Sequence, residues 1–303
     1  MARVGALRSP GFARPVRLGL FAAAALGALL GIAMLAMHLS SDPLADVHAY
    51  YDAGARLNAG LPLYAQGATT NEAGFYRYPP LLAIAFRPLA LLSFPLAAAI
   101  WEVLVLASLA ALVVRLGARR FETWVALGLL ALPTAWAVSI GQAQVPLTTL
   151  LALGTPASVA LAAQLKLFPA LVAVWWLGRG DRPALLRFVA WLVALTLVQL
   201  VLEPKATLDF VGSAWADQVG EVRNLSPYVL SPVLWAVLVV AGALVALRLA
   251  PGRWGWPAAV ALSVLASPRL LVYMLMTLLA AARTPGDGPR SAAATAAAAA
   301  PVR

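Results

Sequence analysis

Residues 95–114 contain almost no polar group, and runs of this kind recur from one end of the chain to the other. A helix needs about 20 consecutive apolar residues to cross a bilayer core of roughly 30 Å. A water-soluble fold cannot hide so much apolar surface, because even a small domain requires a polar shell. With 62% hydrophobic residues, 11% charged residues and a mean hydropathy of +0.86, the chain is built for lipid as its solvent. The expected fold is an all-α membrane protein, a polytopic helical bundle.

Apolar runs place spans at 17–38, 95–114, 124–140, 188–202, 229–250, 256–267 and 270–283. The stretch 145–178 is apolar throughout but interrupted by Gly154, Pro156 and Pro169, and it reads as three short pieces. Proline removes a helix donor, and such breaks are tolerated at membrane depth only where protein surrounds them. The total is about 10 transmembrane segments in a single domain, 1–283, followed by a disordered cytoplasmic tail, 284–303, with an alanine run and Pro-Gly pairs. The first apolar segment is longer than a signal-peptide core and reads as an uncleaved span.

The net charge of +10 does not point to nucleic acid, because the basic residues are scattered in short groups between apolar runs. They act as topology signals. Arg3, Arg8, Arg14 and Arg17, then Arg115, Arg119 and Arg120, then Arg179, Arg182 and Arg187, then Arg248 and Arg253, and finally Arg283, Arg290 and Arg303 fall on one side if the chain crosses ten times. That side is cytoplasmic, so both termini lie inside and the protein is a multi-pass component of the plasma (inner) membrane. Asp42, Asp46, Asp52, Glu72, Glu203, Asp209, Asp217 and Glu221 then occupy two outer loops, 39–94 and 203–228, where a site is expected. In the first outer loop, Asp46, Tyr50 and Ala53 stand at helical spacing over 46–58, with Gly60 as a stop. Residues 79–94, interrupted by Arg87, read as an interfacial segment.

Asp46 lies just beyond the first span, beside His48 and Tyr50. A carboxylate there can serve as general base on a hydroxyl, or simply be a solvated loop acid or helix cap. His48 reads as a partner to that base or as a polar interface residue. Two histidines and no cysteine leave no basis for a multi-histidine or thiolate metal centre, so no metal is expected. Lys166 sits inside an apolar region next to a helix break, where a charge costs at least a few kcal/mol unless it faces a cavity, a partner or the interface. Phosphate is a natural partner, and Arg56, Arg77, Arg223 and Arg269 are further outer cations that fit phosphate or lipid headgroups. Glu102, within the second span, is either paired or functional. The turn Gly141-Gln-Ala-Gln144 presents two amides suited to a sugar, or is a plain turn. No P-loop, Rossmann or zinc-protease motif is present, and no cofactor is expected.

Several short motifs occur in order: Asp46-Val-His-Ala-Tyr50, Gly60-Leu-Pro-Leu-Tyr64, Tyr76-Arg-Tyr-Pro-Pro-Leu81, Pro88, Trp101, Gly141-Gln142, Lys166-Leu-Phe-Pro169, Asn224-Leu-Ser226, Ser267-Pro268 and Tyr273. Together, over roughly 40–280, they resemble glycosyltransferase family 87. The resemblance implies a GT-C type fold with a helical first extracytoplasmic loop. It implies an enzyme that moves a hexose, typically mannose, from a polyprenyl-phosphate donor to a glycolipid or glycan acceptor with inversion. By position it makes Asp46 the base and Lys166, Arg269 and Arg223 the donor-phosphate cations. It makes His48, Tyr50, Tyr64, Tyr76, Arg77, Tyr78, Gln142, Asn224, Ser226 and Tyr273 substrate-binding. The implied partners are the lipid-linked sugar, the acceptor and membrane lipid, not nucleic acid. Two departures stand out: the segment between Leu153 and Leu161 is short for the family, and Arg269-Leu-Leu-Val-Tyr273 replaces its usual aromatic or histidine residues. Alternative readings are a carrier or flippase for an anionic lipid or solute, using Lys166 at a midplane site, and a noncatalytic assembly subunit.

Overall fold

Helix boundaries fall where the sequence supplies local start and stop signals. The computed structural model describes residues 10–41, 43–64, 76–213, 223–282 and 285. Helix α1 is Pro10–Ser41, and α2 (Ala45–Asn58) follows after a short turn. Helix α3 (Pro80–Phe86) starts on a proline and leads through a 3-10 turn, Leu89–Leu91, to α4 (Phe94–Leu116), which stops at Gly117 with φ 95°. Helices α5 (Phe121–Leu129) and α6 (Ala131–Ser139) form a pair bent by 65°. Pro133, with no N–H to close the first turn, accounts for the break in the hydrogen-bond ladder.

The apolar stretch after residue 143 divides into α7 (Gln144–Leu153), α8 (Pro156–Leu165), a 3-10 segment Phe168–Val172 and α9 (Ala173–Gly178). Gly154 ends α7 in the left-handed region at φ 63°, where glycine carries no Cβ penalty. Thr155 and Ser158 then form a capping box at the start of α8. Helix α10 (Arg182–Leu202) is capped by Asp181, whose carboxylate accepts from the Ala184 N–H, and α11 (Pro204–Ser213) follows. Helix α12 (Pro232–Leu249) starts on a Ser231 cap, α13 (Gly255–Leu265) lies against it, and a long 3-10 segment, Val272–Ala282, completes the described chain. At about 2.0 Å rise per residue, a 3-10 segment of 11 residues reaches about 22 Å, against about 16 Å for an α-helix of equal length.

Among the described residues there is no strand, so the architecture is all-helical. Four helices among the described residues are long and apolar enough to cross a membrane: Pro15–Ser41, Phe94–Leu116, Arg182–Leu202 and Pro232–Leu249, or five spans with the bent pair counted. Their outer faces carry exposed large apolar side chains, such as Leu29, Val103, Leu186 and Val233, which suits lipid rather than water. The tail at 284–303 lies outside the described residues except for 285, as do residues 65–75 of the first loop and 214–222 of the second.

Two arrangements position the site. Helix α1 packs closely along α5 and α6. A Cβ on Gly27 would stand 2.2 Å from the Gly128 carbonyl oxygen, and one on Gly31 2.9 Å from that of Ala131. Small residues let the backbones meet, as at other intramembrane helix contacts. Helix α2 docks end-on to α6 by backbone bonds, with the Leu44 and Asp46 N–H groups donating to the Ser139 and Ile140 carbonyls, both at 3.1 Å. Its far end is held to the segment after α3, where Arg87 bonds Asn58 and pairs with Glu203 at 2.6 Å, so the arginine that interrupts the 79–94 stretch is an inter-helix tie.

Gly27→Ala should therefore lower the thermal midpoint of the detergent-solubilised protein, by the equivalent of about 1–3 kcal/mol for overpacking. Gly19→Ala in the same helix meets nothing within 4 Å and should leave the midpoint unchanged or slightly raised. Equal midpoints for the two variants would refute the close-packing account.

Candidate active site

A cavity of about 720 Å³ opens among the ends of α1, α2 and α6, the breaks after α8 and α13, and α11. Its lining brings together Asp46, Lys166, Arg77, Arg269 and Arg223, with Tyr78 and Tyr273 between them. These residues are separated by up to 227 positions in sequence (273 − 46), and nearly all stand at a helix end or a break. Asp46 is in the first turn of α2; Lys166 is the extended residue that ends α8; Arg269 and Arg223 lie in loops.

Asp46 is held by Gln142, whose side-chain amide nitrogen donates to the Asp46 Oδ2. The Gln142 Oε1 accepts from the hydroxyls of Tyr50 and Tyr78, each at 2.7 Å. Behind them, the Ala143 backbone N–H donates to the Tyr50 hydroxyl at 3.2 Å. Burial pushes the Tyr50 and Tyr78 phenols well above their ordinary value, so both remain protonated donors at neutral pH.

Lys166 is held by the neighbouring glutamine. Its Nζ donates to the Gln144 Oε1 at 2.7 Å and lies 5.2 Å and 5.0 Å from the ring centroids of Tyr78 and Tyr273, within cation–π range. The Gln144 amide nitrogen donates to the Thr277 hydroxyl at 2.6 Å, which in turn contacts the Thr148 hydroxyl at 2.9 Å. One turn, Gly141–Gln144, thus supplies an amide to the acid and an amide to the ammonium group. The turn has no slack: Gly141 has φ 66°, a Cβ there would stand 2.1 Å from Val47 Cγ2, and its carbonyl accepts from the Trp101 indole at 2.7 Å.

The cations act on one another. Burial lowers the Arg77 guanidinium to about 10, and the nearby Arg269 pushes it the same way. Burial also lowers Arg269, against the opposing pull of Tyr273, Tyr78 and Asp46. Arg77 and Arg269 also act on Lys166, while Asp46 attracts all three. Three cations facing one carboxylate leave an excess of positive charge that an anion such as a phosphate would neutralise. Among the described residues, no three His, Cys, Asp or Glu side chains gather as a metal site.

Other residues expected at the site lie elsewhere. His48 is exposed and stacked on Phe94 with centroids 3.7 Å apart, away from the cavity lining. Tyr50 and Gln142 are fully buried behind Asp46. Tyr64 donates to the Tyr78 carbonyl, and Tyr76 caps α3 by donating to the Pro79 carbonyl and accepting from the Ala83 N–H. The Asn224 Oδ1 accepts from the Ser226 and Leu270 N–H groups and its amide donates to the Pro268 carbonyl, tying the second loop to the segment bearing Arg269. Ser226 accepts from the Tyr228 N–H. The lining also includes His38, Trp136, Phe210 and Thr277, which the sequence reading did not select. His38 and Trp136 meet edge-to-face at 5.1 Å, a pairing that follows from α1 lying on α6.

The family model described as glycosyltransferase family 87 matches residues 75–300, three quarters of the chain (226 of 303 residues). The matched region contains Arg77, Gln142, Lys166, Arg269 and Tyr273, while Asp46 precedes it. No curated protein and no solved structure matches the chain. Matched over three quarters of its length and folded as an all-helical bundle with apolar helices long enough to span a membrane, this chain belongs to glycosyltransferase family 87.

Proposed function

We propose that this membrane glycosyltransferase moves a hexose, mannose in the leading reading, from a polyprenyl-phosphate donor to a glycolipid or glycan acceptor. The cavity is assigned to the extracytoplasmic side of the plasma membrane, in a GT-C type bundle whose short apolar helices bring the crossings to about ten. The observation that carries the reading is the composition of one cavity: a single carboxylate on α2 faced by Lys166, Arg77 and Arg269. A sugar phosphate has the matching polarity, with an anionic end for the cations and an electrophilic carbon for a base-activated hydroxyl.

In this mechanism the acceptor hydroxyl gives its proton to Asp46 while its oxygen attacks the anomeric carbon. The bond from that carbon to the phosphate oxygen breaks, and its electron pair leaves on the polyprenyl phosphate. Attack opposite the leaving group inverts the configuration. Lys166, Arg77, Arg269 and Arg223 stabilise the charge that develops on the departing phosphate. Apolar residues of the same lining, including Leu167, Phe168, Val264 and Met274, suit the start of a polyprenyl chain.

Purified protein in membranes, given labelled polyprenyl-phosphate-mannose and a lipid extract as acceptor source, should release polyprenyl phosphate. Asp46→Asn should lower the rate by roughly 10²–10⁴-fold while donor binding persists. Transfer by Asp46→Asn at the wild-type rate would remove the base assignment. Lys166→Met deletes a charge-assisted hydrogen bond and should weaken donor binding by roughly 10–100-fold. Unchanged affinity in that variant would take Lys166 out of the phosphate site.

A further inference from the structure

Tyr50 and Gln142 do not line the cavity, yet a chain of hydrogen bonds from the protein backbone to Asp46 Oδ2 passes through both. We propose that Ala143, Tyr50 and Gln142 form a one-way hydrogen-bond relay that presents Asp46 with an N–H donor on one carboxylate oxygen, so that Tyr50 and Gln142 are positioning residues for the base. The proposal rests on the reading of Asp46 as the base, and deepens it.

The direction follows from donor and acceptor chemistry. A hydroxyl can donate or accept, and a glutamine amide can face either way, so neither fixes a polarity alone. A backbone N–H can only donate. The Ala143 N–H therefore occupies a lone pair of the Tyr50 oxygen, and the Tyr50 proton is free to point onward. The nearest acceptor is the Gln142 Oε1 at 2.7 Å, ahead of the Tyr78 hydroxyl at 3.1 Å. With its oxygen taken by Tyr50 and Tyr78, the Gln142 amide must turn its nitrogen to Asp46. A reversed amide would set its oxygen against the Asp46 carboxylate oxygen, two acceptors with no proton between them, at the cost of that hydrogen bond.

The relay has two effects on the acid. An N–H aimed at Oδ2 favours the ionised carboxylate, the form a base requires. It also holds the carboxylate in one orientation at the cavity wall. Both polar members are buried, Tyr50 and Gln142 at 0% exposure, so water does not compete for these bonds.

Other charged and titratable groups act on Asp46 from several elements: Tyr50 on α2, Arg77 and Tyr78 before α3, Lys166 after α8, and Arg269 and Tyr273 after α13. A variant series that leaves the charged members in place reads the relay against a constant field. Tyr78 supplies an internal contrast, since it donates to the same amide oxygen without a backbone N–H fixing its direction.

The test is an infrared titration of the full-length protein in lipid nanodiscs, needing no substrate. The carboxyl band absent from Asp46→Asn identifies the group, and its midpoint is followed against pH. Gln142→Leu should move the midpoint up by roughly one to two pH units, the loss of one charge-assisted hydrogen bond. Tyr50→Phe should move it up by a smaller amount and Tyr78→Phe least. With active protein, kcat in Gln142→Leu and Tyr50→Phe should fall with the donor KM unchanged, and the acidic limb of the rate profile should follow the band. A flat series, or a Tyr78→Phe shift as large as that of Tyr50→Phe, overturns the relay. If thermal melting shows Tyr50→Phe unfolded, the order Gln142→Leu above Tyr78→Phe decides the matter. Full transfer by Asp46→Asn would instead defeat the base reading and leave the infrared result standing, so the two failures are distinguishable.

Discussion

A charged group inside an apolar bundle must find a partner, and the four-residue turn Gly141–Gln144 meets that demand twice. Gln142 faces Asp46 and Gln144 faces Lys166, so one short backbone segment sets where the carboxylate stands relative to the ammonium group. The turn is held in place by contacts with its neighbours. The Trp101 indole bonds the Gly141 carbonyl, and the Ser139 and Ile140 carbonyls just before the turn receive the first N–H groups of α2. Val47 occupies the space in which any Cβ at residue 141 would lie, so the glycine is required both for its dihedral angle and for the approach of α2.

The cationic side of the cavity is built differently. Lys166 and Arg269 come from places where helices stop and Arg77 from the segment that leads into α3, and each such place exposes backbone that lipid could not satisfy. The breaks are stabilised by local bonds that also aim the charges. The Ser267 hydroxyl donates to the Arg269 carbonyl, and Asn224 bonds both sides of that residue, at Pro268 and Leu270. Gln164, two residues before Lys166, bonds Gln199 on α10, and Gln199 accepts the Leu81 N–H at the start of α3. The break bearing Lys166 and the segment bearing Arg77 are therefore tied to the same buried glutamine pair, which keeps mutually repelling cations at one cavity without direct bonds between them.

How much of this was legible depended on whether one residue or several helices carried the signal. The long spans followed from apolar run length, and the division of 145–178 from Gly154 and the prolines. Lys166 was conspicuous because a charge beside a break in an apolar run needs a reason. Three-dimensional partnerships were not legible. His48 read as a partner to the base Asp46, yet on an α-helix two positions is about 200° of rotation, whereas Tyr50 at i+4 shares the face of Asp46. Helical phase alone could have separated them once α2 was accepted. Trp136 and His38 carried no such clue, since their place in the lining depends on α1 lying against α6 and on the bend before it. Tyr76, Asn224 and Ser226, drawn in by the motif resemblance, spend their polar atoms on backbone groups. A motif marks which residues matter without saying whether they touch a substrate or shape the loop that does.

The family match begins at residue 75, yet its region contains a socket that only an earlier part of the chain fills. Gln142 is fully buried with donors on its oxygen side, and its nitrogen is directed at a carboxylate on α2. The Tyr50 that helps orient it comes from the same helix, one turn beyond Asp46. Withdrawing α2 would strip the amide of Asp46 and Tyr50 together and open the Ser139 and Ile140 carbonyls. Buried polar groups without partners are costly, so docking of α2, satisfaction of the turn and placement of the acid are favoured as one event rather than three. The cavity therefore gains its negative member in the same step that closes its wall, and a bundle from which α2 is withdrawn would lose its native packing along with its proposed base.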